Sequence, residues 1–252
     1  MANEDVAPKQ NASIGSVSDP QYTIYFAGGL FTQHDIATNV FIKESIWRQS
    51  NGKFELVLPQ SKELRHIDRS NAAAYIRDAD LRQVVLADML LARFDGPDLD
   101  TGTVVEFMVA KMLGKPAAIL RSDTRHLSGT GLDDPYNLMV KNWPRTVEVY
   151  IDCLMEYVRT IAVVRESKVE SDTPQAILAS ELKIVRDAID DLARQVIGAL
   201  ESLLNMGSPY PAQYQEMVYE AIRYCPGSSF AELLPESELE AAIKKLRNHK
   251  TL

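Results

Sequence analysis

Cysteine and histidine are scarce in this 252-residue sequence, which contains two cysteines and four histidines. Cys153 and Cys225 lie far apart with no CxxC pair, and the histidines show no metal-ligand spacing. The sequence therefore favours a cytoplasmic protein of the reducing cytosol without a structural metal. It contains no apolar run long enough to span a membrane, and the first twenty residues lack the apolar segment of a secretory signal. We expect residues 1–20 to form a disordered tail.

Clusters of lysine and arginine are also missing, and the formal net charge is -8 with a pI near 5.1. A protein that binds nucleic-acid backbones needs concentrated positive charge. The sequence therefore argues against nucleic acid as a partner. Hydrophobic residues are plentiful at 46%, which is enough for a substantial core in one large or two modest domains.

Apolar runs typical of buried strands alternate with segments of helical periodicity over most of the chain. The predicted strands are 22–27, 54–58, 89–94 and 115–120, and 146–151 is either a fifth strand, which we favour, or the start of a helix. The predicted helices between them are 35–49, 71–85 and 101–113. This alternation predicts a doubly wound, flavodoxin-like parallel sheet of four to five strands.

We expect this α/β domain to cover residues 21–165 and to be followed by a C-terminal α-helical extension over 172–252. The extension begins after a Ser-Asp-Thr-Pro break. Its apolar residues are spaced mostly by three and four, which is typical of a coiled-coil-like seam or of an ordinary core stripe: Leu178, Leu182, Val185, Ile189, Leu192, Val196, Leu200 and Leu203. Because it has no catalytic constellation, we interpret it as a packing or oligomerisation element in preference to a regulatory one.

Carboxylates dominate the loop and helix after the central predicted strand. Asp95, Asp98 and Asp100 follow that strand at the edge where open parallel sheets bind ligands. Glu106 is a lone acid among apolar residues of the next helix, where an unpaired buried charge would be costly. From the residues alone, interaction with the helix dipole explains such an acid as well as catalysis does.

Three further positions carry weaker signals. Gly28-Gly29 follows the first predicted strand and would let a ligand approach the backbone, but the turn lacks GxGxxG and the Walker lysine. A plain turn is the simpler interpretation. Gln60 follows the second predicted strand, and Asp80 lies on the predicted helix before the third. Without further context, a solvated position is the simpler interpretation of each.

Taken together, four motifs resemble those of the nucleoside 2-deoxyribosyltransferases. They are Tyr25-Phe-Ala-Gly-Gly-Leu-Phe31, Asp80 with Asp88 eight residues later, Asp100-x-Gly102-x-x-x-Glu106, and Asn137-Leu-Met139. The resemblance covers residues 22–139. It implies an enzyme of nucleotide salvage that acts on a 2′-deoxynucleoside and a free nucleobase, without cofactor or metal. It also implies a homo-oligomer with shared active sites.

The resemblance implies a role for each matched residue. Glu106 would be the nucleophile, Asp80 the proton donor and acceptor for the base, and Tyr25 the group that orients Glu106. Asp88 is expected to be structural. The other residues implied to contact the substrate are Gly28, Phe31, Gln60, Asp100, Asn137 and Met139.

Within that set, Gln60 would assist Asp80 at the base. Asp100 would hold the 5′-hydroxyl together with Asn137 of a neighbouring subunit. Phe31 and Met139 would enclose the base and the sugar.

Base exchange at C1′ with retained configuration requires two displacements, so the reaction itself calls for a pair of acids. One carboxylate forms a glycosyl ester while a second carboxyl group protonates the leaving base. A 2-deoxy sugar has no electron-withdrawing 2′-hydroxyl, so its oxocarbenium-like transition state is accessible without a metal.

Two alternatives stay open: a hydrolase of deoxynucleosides or their 5′-monophosphates, and a non-catalytic nucleotide-sensing module. A phosphate cradle typically uses serines and an arginine around the first turn. Residues 27–34 contain neither, which favours an unphosphorylated substrate, although Thr32 and His34 leave the point open. A sensing module would have no need of an intact acid pair.

Overall fold

The computed structural model describes residues 21–61, 72–123, 137–166, 173–226 and 230–248. The tail predicted over residues 1–20 lies outside the described residues. Among the described helices, none has the length and apolar character needed to cross a membrane.

Five strands form one parallel sheet: β1 (Tyr22–Ala27), β2 (Phe54–Val57), β3 (Met89–Arg93), β4 (Ala117–Arg121) and β5 (Thr146–Tyr150). Their order in the sheet is β2-β1-β3-β4-β5. The doubly wound, flavodoxin-like prediction is confirmed, and the ambiguous fifth segment is a strand. In this topology the chain reverses its direction of winding between β1 and β3, so the carboxyl ends of those two strands flank the expected ligand crevice.

Eight helices are described: α1 (Gln33–Gln49), α2 (Ala72–Leu86), α3 (Thr101–Met112), α4 (Cys153–Glu166), α5 (Pro174–Leu203), α6 (Ala212–Ile222), α7 (Phe230–Leu233) and α8 (Glu236–Asn248). The described residues also include two 3-10 turns, Pro59–Ser61 and Leu138–Val140. The C-terminal part of the chain is helical, as predicted.

Alternate residues of each strand face opposite layers of the core. Ile24 and Phe26 of β1 pack with side chains of α1 and α5 on one face of the sheet. Tyr25 and Ala27 pack with side chains of α2 and α3 on the other face. The period of two along β1 therefore directs Tyr25, and not its neighbours, towards the helices that carry Asp80 and Glu106.

The apolar stripe of α5 divides into two parts. Its C-terminal part is buried against the sheet and consists of Leu192, Val196, Leu200 and Leu203. Its N-terminal part, with Leu178, Leu182 and Val185, is exposed. The core-stripe interpretation thus holds for the second half of α5, which completes one of the two layers around the sheet.

Helices α6, α7 and α8 pack on the outer side of α2. Leu81 and Val85 of α2 join a third apolar cluster with Tyr219, Phe230 and Leu239 of these three helices. Val84 of α2 instead faces the sheet. The C-terminal half of α2 therefore lies between the sheet and the C-terminal helices, whereas Tyr75 and Ile76 in its N-terminal half are exposed.

Candidate active site

Three side chains assigned by the sequence motifs meet beside β1. Tyr25 is fully buried, and its hydroxyl lies 2.6 Å from Oε1 of Glu106 on α3. The same hydroxyl lies 3.3 Å from Oδ1 of Asp80 on α2. The structure thus brings together the predicted nucleophile, the predicted acid and the tyrosine expected to orient the nucleophile.

The buried phenol of Tyr25 keeps its proton. Burial raises the pKa of Tyr25 far above its ordinary value, and the negative charges of Glu106 and Asp80 raise it further. A phenol has a single proton to donate, and the shorter contact directs it to Glu106. The phenolic oxygen can then accept a hydrogen bond from Asp80 when that carboxyl group is protonated. The arrangement suits one ionised and one protonated carboxyl group.

Helix α3 presents Glu106 through a strong N-terminal cap. The Oδ2 atom of Asp100 accepts hydrogen bonds from the backbone N of Thr103 at 2.8 Å and from its Oγ1 at 2.7 Å. Glu106 lies in the second turn, beyond the residues on which the helix dipole acts most strongly. The contact with Tyr25 is therefore a better explanation of this acid than the dipole.

The loop between β3 and α3 is braced by the end of β4. The guanidinium of Arg121 donates to the carbonyl of Phe94 at 2.7 Å and to that of Gly96 at 2.9 Å. Asp95 accepts from the backbone N and the Oγ of Ser122 at 2.6 and 2.7 Å. Asp95 therefore holds the loop in place, and it also lines a cavity beside the loop together with Asp98 and Asp100.

This cavity has a volume of about 380 Å³ and also contains Gly29, Phe31, Asp35 and Arg93 in its lining. Phe31 is 80% exposed, so a large apolar ring stands uncovered at its rim. Two residues implied by the motifs, Phe31 and Asp100, thus share one cavity. Next to this cavity, a Cβ atom added at Gly28 would come within 3.4 Å of Cβ of Arg93.

Arg93, which the sequence analysis missed, is a buried cation at the carboxyl end of β3. Its guanidinium donates to Oδ1 of Asp35 at 2.7 Å and to Oδ1 of Asn39 at 2.9 Å. Burial alone would raise the pKa of Asp35, but hydrogen bonds from Thr32 and the charge of Arg93 outweigh it and lower the pKa. An arginine at the end of an otherwise apolar strand could have indicated a buried cation, but not its partner.

Gln60 is held against α1. Its Oε1 accepts from Nδ2 of Asn39 at 3.0 Å, and its Nε2 donates to the carbonyl of Ile36 at 2.9 Å. It follows β2, the neighbour of β1, at the ligand-binding edge of the sheet.

Asn137 and Met139 line a second cavity of about 370 Å³, together with Val104 and residues of the β3–α3 loop. The Oδ1 of Asn137 accepts from the backbone N of Met139 at 2.9 Å, which caps the 3-10 turn. The Met139 side chain is 76% exposed. The two cavities adjoin, since Asp98 lines both.

Asp88 has the structural position expected for it. Its Oδ2 accepts from the backbone N of Thr23 at 2.7 Å and from the Oγ1 of the same residue at 2.9 Å. Both groups lie at the amino-terminal side of the sheet, away from the ligand-binding edge.

Residues 24–139 match the family model described as nucleoside 2-deoxyribosyltransferase. A search of curated proteins gives no match. Among solved structures, a conserved protein from Enterococcus faecalis V583 is 31% identical, with 47% of this chain and 83% of that chain covered and a TM-score of 0.38. A 2-deoxyribosyltransferase from the psychrotolerant bacterium Bacillus psychrosaccharolyticus is 20% identical, with coverage of 52% and 85% and a TM-score of 0.39. A 2-desoxiribosyltransferase from Leishmania mexicana is also 20% identical, with coverage of 50% and 89% and a TM-score of 0.39.

The flavodoxin-like sheet and the acids grouped around Tyr25 define an α/β protein with its polar residues at the crevice where such sheets bind ligands. Through residues 24–139 the chain belongs to the nucleoside 2-deoxyribosyltransferase family. This places it among nucleoside-modifying enzymes. Helices α5 to α8 lie beyond the matched segment.

Proposed function

We propose that the protein transfers the 2-deoxyribosyl group of a 2′-deoxynucleoside from one nucleobase to another, with retention, through a covalent ester on Glu106. The observation that carries this proposal is the position of one protonated phenol, that of Tyr25, between Glu106 and Asp80. A nucleophile and an acid are the two groups that this exchange requires.

In the first displacement, a carboxylate oxygen of Glu106 attacks C1′ and forms the ester. The C1′–N bond breaks, its electron pair goes to the leaving base, and Asp80 gives its proton to that base. In the second displacement, Asp80 takes a proton from the incoming base, whose nitrogen attacks C1′. The ester bond breaks and Glu106 is again a carboxylate, so two inversions give net retention.

The spacing of the acids supports a covalent intermediate. The two contacts with the Tyr25 hydroxyl place the facing oxygens of Glu106 and Asp80 at most about 6 Å apart, which is shorter than the spacing of roughly 6.5–9.5 Å in inverting glycosidases. An inverting enzyme needs that extra room for a water molecule on the opposite face of the sugar.

For the rest of the substrate we propose the adjoining cavities. Asp100 uses Oδ2 for its helix cap, so Oδ1 is the oxygen we assign to the 5′-hydroxyl. We assign Phe31 to the base and sugar, and Gly28 and Gln60 to the same crevice. Asn137 and Met139, on an exposed turn, would reach the site of a neighbouring subunit in a cytoplasmic homo-oligomer that serves nucleotide salvage.

Hydrolysis is the second candidate function, because the cavity beside Gly29 contains an arginine, and arginine is the usual partner of a 5′-phosphate. However, Arg93 is already paired with Asp35, and the same cavity contains Asp95, Asp98 and Asp100. Four acids around one arginine disfavour a dianionic phosphate. The local charge therefore supports an unphosphorylated substrate.

The test is incubation of the protein with deoxyinosine and adenine. Formation of deoxyadenosine and hypoxanthine supports transfer, release of hypoxanthine with free deoxyribose supports hydrolysis, and no turnover would favour a binding module. Glu106→Gln should lower kcat/KM by several orders of magnitude, whereas Glu220→Gln on the exposed surface of α6 should leave it unchanged. A 2-fluoro-2-deoxy nucleoside should leave an adduct on the peptide that contains Glu106.

A further inference from the structure

We propose that helix α8 positions the acid pair, with Glu238 and Lys245 as positioning residues that keep Asp80 beside Tyr25. This inference rests on the proposed function of Asp80. It gives the C-terminal helices, which lie outside the family segment, a part in the reaction.

The first contact fixes α2. The Oε2 of Glu238 accepts from the Nε of Arg82 at 3.0 Å and from its Nη2 at 2.5 Å. Arg82 lies two residues after Asp80 on the same helix. A guanidinium with two of its donors on one oxygen has little freedom, so this contact resists rotation of α2 about its axis.

The second contact fixes β1. The Nζ of Lys245 donates to Oδ2 of Asp88 at 2.7 Å, and that oxygen also accepts from the backbone N of Thr23 at 2.7 Å. In addition, the backbone N of Asp88 donates to the carbonyl of Thr23 at 2.8 Å. Thr23 lies two residues before Tyr25 on the strand. One helix thus contacts both elements whose relative position sets the 3.3 Å distance from Tyr25 to Asp80.

Apolar packing fills the space between these two polar contacts. Leu239 and Ala242 of α8 are buried, and Leu239 belongs to the cluster that contains Leu81 and Val85 of α2. Leu81 directly follows Asp80 in the sequence. A shift of α8 would therefore move the backbone next to the acid.

The expected sizes of the effects indicate that the contacts of Glu238 and Lys245 matter more for the geometry of the acid pair than for the stability of the fold. The side chains of Glu238 and Lys245 are each 38% exposed, and ion pairs with exposed partners add little to stability. The contact between Tyr25 and Asp80 is already long, and hydrogen bonds weaken steeply beyond such distances. A displacement of about 1 Å can cost roughly a hundredfold in rate. Loss of the α8 contacts should therefore affect proton transfer more than folding.

The test compares two pairs of substitutions on the same helix. The test protein carries Glu238→Gln and Lys245→Met, and the control carries Glu240→Gln and Lys244→Met, which change the same residue types at exposed positions of α8. Each is assayed with deoxyinosine and with 7-methyl-2′-deoxyguanosine, whose cationic base leaves without protonation. Thermal unfolding of both proteins is measured in parallel.

We expect the test protein to lose about tenfold in kcat/KM with deoxyinosine and to stay within about twofold of wild type with the methylated substrate. The control should match wild type with both. Equal losses on both substrates, or no loss on either, would overturn the proposal. An Arg82→Glu variant should show the same selective loss, and adding Glu238→Arg should reverse it.

Failure of the proposed function gives a different result. In that case the wild-type protein itself produces no base exchange with either nucleoside. A wild-type enzyme that exchanges bases, combined with a test protein that is indistinguishable from its control, would overturn only the role of α8.

Discussion

The guanidinium of Arg93 donates to Oδ1 of Asn39 over 2.9 Å, and this single contact orients two amide groups. Arginine can only donate, so the Nδ2 of Asn39 must point away from it, towards Oε1 of Gln60. The carbonyl of Ile36 can only accept, which independently places Nε2 of Gln60 on that side. We propose that the second N–H of Gln60 is the group offered to a ligand.

Reversing the orientation of Gln60 should therefore change the preferred base. In Asn39→Asp, the carboxylate accepts from Arg93 and also requires a donor from Gln60. We expect the Gln60 amide to turn, to give up its hydrogen bond to the carbonyl of Ile36, and to present its oxygen to the base instead. We expect the kcat/KM for hypoxanthine relative to adenine as acceptor base to fall by about tenfold, the value of one well-placed hydrogen bond. Asn205→Asp, at an exposed position, serves as the control. An unchanged ratio would show that Gln60 does not read the base.

Removal of the Tyr25 hydroxyl should damage the reaction without unfolding the protein. Tyr25→Phe keeps the buried ring but removes the donor to Glu106, so we expect kcat/KM to fall by about a hundredfold, less than in Glu106→Gln. The rate of adduct formation with a 2-fluoro-2-deoxy nucleoside should fall in parallel. Tyr22→Phe changes the same strand on its opposite face and should be near wild type. Near-normal turnover of Tyr25→Phe would contradict its orienting role.

The stability of the fold should depend on two buried lysines. The pKa of both Lys111 and Lys115 is lowered from an ordinary value of 10.5 to about 7, mainly by burial, and the charge of Arg145 contributes to both shifts. At pH values between about 7 and 10.5, these lysines bind more protons in the unfolded chain than in the folded protein. The free energy of unfolding should therefore rise from pH 7 to pH 9, by up to about 1.4 kcal/mol per pH unit for each lysine.

Urea unfolding at pH 7, 8 and 9 would measure this dependence. Lys111→Met should reduce the slope by the contribution of one lysine, although it also removes hydrogen bonds to the carbonyls of Lys115 and Arg145 and so lowers stability at each pH. Lys244→Met should leave the slope unchanged. A slope that Lys111→Met does not alter would contradict the assignment.

The exposed turn at Asn137 predicts active sites shared between subunits. Glu106→Ala and Asn137→Ala would then damage different halves of one composite site. When the two impaired proteins are dissociated and reassembled together, a random mixture of two-site dimers should regain roughly one quarter of wild-type activity. Verified mixed oligomers that show only the residual activity of the parents would place Asn137 within its own chain's site or outside any site.

The sheet and the acid pair could be predicted from the sequence because each produces a local sequence pattern. Apolar runs as uniform as β3 indicate a strand buried on both faces, and Glu106 stands out because its neighbours on α3 are apolar. The meeting of Tyr25, Asp80 and Glu106 was expected through the family motifs, since no local pattern links residues so far apart in the chain.

Polar contacts between residues far apart in the chain could not be predicted in the same way. Arg93 pairs with Asp35 across 58 positions, and Lys245 pairs with Asp88 across 157. Nothing in the immediate neighbourhood of either cation indicates its partner. Asp95 is the opposite case. Its position directly after β3 suggested a role in ligand binding, but both of its carboxylate oxygens accept hydrogen bonds from Ser122.

Helix α5 joins the catalytic fold to the C-terminal helices in a way that prevents their separation. Its second half forms one wall of the core, and Lys53, directly before β2, contacts Glu201 of α5 at 2.7 Å. A chain cut to residues 24–139 would lack both β5 and α5 and would leave Ala118 and Leu120 of β4 in water. We therefore expect that residues 24–139 do not fold as an autonomous module in this protein, and that a chain trimmed to them is insoluble.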